Sequence, residues 1–202
     1  MFTTTIRRFA ALAAAPVLAL GLAGCSDTVR QGRSASYLII DQIQAASGAD
    51  DTKFSGELSS DVVTKGTIFE DLGEAQFELA LKDVGSSGST AAPTTNNYIT
   101  ITRYHVAYRR TDGRNTPGVD VPYAFDGAGT ATITESGGSL TFVLVRVQAK
   151  AEPPLKNLQG QGGANVISTI ADVTFYGKDQ TGNDVAVTGS ISVNFADWGD
   201  PE

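Results

Sequence analysis

One cysteine, one histidine and one tryptophan are all that 202 residues contain of those three types. A single cysteine rules out a disulfide within the chain. One cysteine with one histidine falls short of the ligands that a tetrahedral zinc site needs. His105 lies inside an alternating apolar and polar stretch, and no Gly-x-Ser-x-Gly elbow occurs, so a serine-nucleophile triad has no frame. Phosphate-cradling loops are missing too. "GQGGAN" (Gly160–Asn165) has glycines but lacks a P-loop lysine and a following helix. Positive charge is also scarce, with 15 Lys and Arg against 22 Asp and Glu and a net charge of −7. That balance excludes a broad electrostatic footprint for nucleic acid or anionic lipid. The sequence therefore predicts no cofactor, no metal and no enzyme.

Carboxylates are the one plentiful chemical group. Asp50-Asp51, Glu70-Asp71, Asp112, Asp120 and Asp126 offer oxygen ligands for calcium. None follows the spacing of an EF-hand loop, and Asp, Asn and Gly are also the residues that turns require. No pair of acids is marked out as a glycosidase couple.

Long apolar runs are equally rare. The only one, Phe9 to Leu22, follows Arg7-Arg8 and contains Pro16. A basic start, an apolar stretch of roughly 7–15 residues and a small-residue exit describe a secretory signal peptide. The run is shorter than the roughly 20 residues of a spanning helix. It ends in Leu22-Ala23-Gly24-Cys25, which resembles the lipobox of bacterial lipoproteins. That resemblance implies cleavage between Gly24 and Cys25, diacylation of the Cys25 thiol and a membrane anchor made of two or three acyl chains. Ser26, in place of an aspartate, favours the outer membrane if the organism has two. Residues 1–24 are read as the signal peptide, a helix, and residues 25–36 as the lipidated cysteine and a polar tether. Its last eleven residues, "SDTVRQGRSAS", reach at most roughly 40 Å when extended.

From Tyr37 to Glu202 the dominant period is two. Ala75, Phe77, Leu79 and Leu81 share one phase, which predicts a half-buried strand. Val185, Val187, Ile191, Val193 and Phe195 share another, with Gly189 on the same face, and Ala171, Val173 and Phe175 mark a third. "SLTFVLVRVQA" (Ser139–Ala149) is apolar on both phases as far as Val145, the pattern of a strand covered on two sides. Further strands are expected at Tyr37–Gln44, Leu58–Thr64, Asp120–Phe125 and Gly129–Glu135. In "NYITITRYHVAYRRTDG", Ile99 and Ile101 occupy one phase and Tyr104, Val106 and Tyr108 the other. A phase flip near Thr102-Arg103 predicts a β-bulge, and Asp112-Gly113 a turn. "PPLKNL" (Pro153–Leu158) predicts one short helical turn, with Gly160 past its end. The inserts Gly85–Asn97 and Gly160–Asn165 read as long loops.

The pattern Tyr-x-Val-x-Tyr-Arg before a turn resembles the third strand of fibronectin type III modules. "KDQTGNDVAV" (Lys178–Val187) is similar to the Asp-x-x-Gly-Asn hairpin of bacterial immunoglobulin-like surface domains. The core tryptophan of fibronectin type III modules is missing, since Trp198 lies near the C-terminus. What carries over is an architecture: one all-β, immunoglobulin-like antiparallel sandwich of about 7–9 strands. Two functions suit it. One is a lipid-anchored structural or protein-interaction module of the cell envelope. The other is a binding module for glycan or another small ligand, built on Tyr104, Tyr108, Tyr123 and Trp198 if those rings point outward.

Overall fold

The computed structural model describes residues 33–83 and 92–199. The signal peptide, Gly24, Cys25, the tether as far as residue 32 and the first part of the Gly85–Asn97 insert lie outside the described residues. Within them run eight strands and one short helix: β1 (Ser36–Ala46), β2 (Glu57–Asp61), β3 (Asp71–Leu81), β4 (Ile99–Arg109), β5 (Phe125–Ile133), β6 (Gly138–Val145), α1 (Val147–Ala151), β7 (Ile167–Asp179) and β8 (Asp184–Ala196). The strands form a three-stranded sheet in the order β1-β3-β6 and a five-stranded sheet in the order β2-β8-β7-β4-β5. The protein is an all-β sandwich. All pairings are antiparallel except β2 with β8, which is parallel.

Alternation puts the core where the sequence predicts it. Ala75 and Phe77 of β3, Ala171, Val173 and Phe175 of β7, and Ile191, Val193 and Phe195 of β8 are all buried. The phase flip in β4 is a bulge between Ile101 and Arg103, seen against both neighbouring strands. It lets Ile99 and Ile101 before it, and Tyr104, Val106 and Tyr108 after it, all face inward. Phe175 is the centre of the aromatic core. Phe77 meets it edge-on at 4.9 Å and Phe142 at 5.2 Å, while Tyr104 lies 5.2 Å from Phe142. Such pairs add about 0.5–1.5 kcal/mol each beyond the area they bury.

Two tyrosine hydroxyls tie the sheets together. Tyr108 donates to the Leu144 carbonyl at 2.6 Å, and the Val143 N–H donates to Tyr104 Oη at 3.1 Å. These bonds satisfy backbone groups of β6 that its outer position leaves unpaired.

Two local expectations are corrected. Asp120–Phe125 is not a strand: Pro122 has no N–H to give a ladder, and apart from an isolated bridge between Val121 and Pro117 pairing begins only at Phe125. β6 is an outer strand of the smaller sheet rather than one near its middle. Its second phase is only partly covered, with Val143 half-buried, and the apolar run stops at Arg146, where the chain turns into α1. Helix α1 had no clear signal, whereas "PPLKNL" does form a single 3-10 turn at Leu155–Leu158, after Pro154 and before Gly160.

Strand direction gives the sandwich two distinct ends. Ser36 pairs with Leu81, Ile99 with Ile133 and Asp179, and Lys178 with Asp184. The chain therefore enters β1 at the end that holds the β3–β4, β5–β6 and β7–β8 connections. The opposite end carries the long connections β1–β2, β2–β3, β4–β5 and β6–β7.

Candidate functional site

Of the four aromatic residues expected to form a platform, the structure removes two. Tyr104 is 4% exposed and Tyr108 6%. Both rings fill the core because the β4 bulge turns that phase inward, so neither can meet a ligand. Tyr123, 54% exposed, does face solvent from the β4–β5 connection. Gly118 makes room for it: with φ +76°, a Cβ there would lie 2.4 Å from the Tyr123 hydroxyl. Trp198 is half-buried just beyond β8, where its backbone N–H donates to Asp61 Oδ1 at 3.0 Å. Its indole Nε1 is buried without a hydrogen-bond partner among the described residues. Tyr123, from the β4–β5 connection, and Trp198, from the segment after β8, lie at the same, long-loop end.

That end also gathers exposed apolar side chains. Phe69 of the β2–β3 connection, Val119 and Tyr123 of β4–β5, and Val147 and Val166 of β6–β7 are all exposed, Val119 by 68%. The other large exposed apolar residues, Tyr37 and Ile39, lie in the first half of β1. Sequence patterning missed the clustering, because each residue stands alone in its own loop. Only the strand polarity brings the loops together.

Beneath these loops lies a buried polar network. Lys150 of α1 is 1% exposed and Asp71 of β3 is fully buried. Lys150 Nζ donates to Asp71 Oδ1 at 2.7 Å, the Gly48 N–H to the same oxygen at 2.9 Å, and Ser60 Oγ to Oδ2 at 2.6 Å. Burial pushes the Asp71 carboxyl above its ordinary value, and the Lys150 ammonium opposes that shift. One carboxyl thus joins the β1–β2 connection, β2, β3 and α1.

A second polar surface covers the outer face of the larger sheet. The Arg103 guanidinium stacks over Tyr176 at 3.7 Å, beside a shallow groove of ≈ 330 Å³ lined by Thr102, Arg103, Tyr176, Lys178 and Asp184. His105 is half-exposed there, with Nδ1 3.2 Å from Asp126 Oδ1, and Arg103 reaches the same oxygen at 3.5 Å. Lys178 pairs with Asp184 at 2.6 Å. The groove's charges are neutralised by neighbours, leaving no bare charge to select a ligand. The carboxylates considered for calcium do not converge: among the described residues no three His, Cys, Asp or Glu side chains are grouped as metal ligands. Asp112 instead takes Arg110 and Arg114 as partners, and Asp50 takes Lys53.

No described helix is long and apolar enough to cross a membrane. Comparison with protein families, curated proteins and solved structures finds no match for this chain.

Proposed function

We propose that the protein is a lipoprotein of the cell envelope, held to a membrane by lipid on Cys25, whose sandwich is a non-catalytic structural or protein-interaction module. The lipobox-like Leu22-Ala23-Gly24-Cys25 supports the anchor. The observation that carries the rest is the polarity of the sandwich. Ser36, eleven residues after Cys25, starts β1 at one end, and the exposed apolar loop residues sit at the other. An anchored molecule of this shape keeps its plain end near the lipid and turns Phe69, Val119, Tyr123, Val147 and Val166 towards other envelope proteins. Scattered apolar residues on one rim suit a protein contact better than a sugar platform, which loses Tyr104 and Tyr108 to the core. With Ser26 after the cysteine, the outer membrane is favoured in a cell that has two.

The test has two arms. In cells fed labelled palmitate, the Cys25→Ser chain stays unlabelled and leaves the membrane fraction, while the unaltered chain is labelled. Label on the variant overturns the anchor. A photo-crosslinking residue at Val119 captures an envelope protein in intact cells, and one at Ser136, on the plain end, does not. Equal capture at both positions overturns the polarity of the interaction.

A further inference from the structure

The Lys150–Asp71 contact brings an amine and a carboxyl together where solvent does not reach, and Lys150 Nζ lies 2.7 Å from Asp71 Oδ1. Keeping both groups as ions there is costly, because each has given up its hydration and only the partner's charge compensates. A salt bridge this deep rarely contributes net stability, so another chemical state of the pair deserves comparison. We propose that Lys150 and Asp71 condense into an intramolecular isopeptide bond, with Nζ acylated by the Asp71 carboxyl and one water released.

The carboxyl is held as such a reaction requires. Oδ1 accepts the Gly48 N–H at 2.9 Å as well as Lys150, and Oδ2 accepts the Ser60 hydroxyl at 2.6 Å. The reaction begins with transfer of one proton from the ammonium to the carboxyl, which turns two buried charges into a neutral amine and a neutral acid. The Nζ lone pair then adds to Cγ, and the C–O π electrons move onto Oδ1. There the Gly48 N–H is already directed at the developing negative charge, as an oxyanion donor is. A second proton passes from nitrogen to the Oδ2 hydroxyl, the oxygen that Ser60 Oγ already contacts. The Cγ–Oδ2 bond breaks, water departs, and the Oδ1 carbonyl re-forms. Atoms and charge balance without any oxidant, reductant or further reagent.

Two features favour the amide over its hydrolysis. The amine is held against the carboxyl, so its effective concentration is high. Water, the reagent for the reverse reaction, is kept out, since Lys150 is 1% exposed and Asp71 is fully buried. The product is also better suited to its surroundings, since a neutral amide replaces two buried ions. Burial already shifts the Asp71 carboxyl towards its neutral form. The bond would join the first residue of β3 to α1, 79 residues further on, and close the end of the sandwich that bears the exposed loops. The inference does not depend on the anchor or on a partner protein.

Tryptic digestion of the purified full-length chain, followed by tandem mass spectrometry, tests it. The expected result is a branched peptide joined through Lys150 and Asp71, lighter by one water than its two arms, with no cleavage after Lys150. The Lys150→Arg chain, which keeps a cation but lacks the amine, gives only linear peptides, with cleavage after position 150. Linear peptides from the unaltered chain, with cleavage after Lys150, overturn the proposal. That measurement decides the matter even if the variant does not fold.

Discussion

Val193 shows how much one side chain in the alternating pattern is worth. It is fully buried on β8, at the register where Thr169 and Leu58 of the neighbouring strands meet it. Val193→Asp places a carboxylate in that fully buried position, and the expected loss is about 3–5 kcal/mol. A urea denaturation midpoint checks this; an unchanged midpoint means that the other phase of β8 faces the core. Asp112 illustrates the opposite case, an exposed acid held by its neighbours. The Arg110 side chain, followed by the Arg114 N–H, keeps its carboxyl far below the ordinary value of 3.8. A depressed folded value means that the contribution is present above about pH 3.8 and is lost as pH falls through the lowered value. Arg110→Gln therefore moves the Asp112 carboxyl titration up towards 3.8, which carbon-detected NMR follows directly. Residues such as Val193 are legible in the sequence because period two marks their face. Lys150 and Asp71 are not. "QAKAE" and "FEDLG" look like solvated stretches, and only a contact across 79 residues reveals that both charges are inside.

Among the elements, glycines show where two strands touch. A Cβ on Gly177 of β7 would lie 2.4 Å from the Thr100 carbonyl oxygen, next to the β4 bulge. On Gly189 of β8, a Cβ would meet the tips of Ile43 and Ile40 at 2.5 and 2.9 Å, where β1 crosses the larger sheet. Backbone cannot step aside without breaking a ladder, whereas an isoleucine tip can change rotamer. Gly177→Ala is therefore expected to cost about 2–3 kcal/mol and Gly189→Ala about 1 kcal/mol or less. Thermal melts of the two variants rank them, and the reverse order would place the tighter contact between the sheets. The β4 bulge itself was readable, since Ile101 and Tyr104 cannot share a phase without an extra residue. The Asp120–Phe125 stretch was misleading for a physical reason. Val121 and Phe125 are both buried and suggest a strand, yet Pro122 and the turn at Gly118 keep the backbone from pairing.

At the scale of the molecule, alternation and turn residues were enough to reach an all-β sandwich, because both are local signals. The grouping of strands into sheets of three and five was not reachable that way. It depends on which edges meet across the fold, as when the β5–β6 connection carries the chain from one sheet to the other. The candidate site shares this limit. Phe69, Val119, Val147 and Val166 become one rim only after the strands take their directions. Replacing Val119 and Val147 together by Ser is expected to leave the melting temperature within about 2 °C, since exposed substitutions are usually worth less than about 0.5 kcal/mol. With the photo-crosslinking residue placed at Val166 instead, the same double variant abolishes capture.

The place of β8 has a consequence for the order of events during synthesis. β8, the last of the described strands, lies inside the larger sheet, between β7 and the early strand β2, and Asn194 donates to Glu57 across 137 residues. Until Ala196 has been made, β2 has no partner in that sheet, and β7 is paired on one side only. Such distant pairings must bear a large loop-closure entropy before any contact repays it, which puts folding in the millisecond-to-second range. A nascent chain therefore stays pliable for as long as its C-terminus is missing. If the chain is exported as we propose, that delay keeps it threadable until β8 has been made.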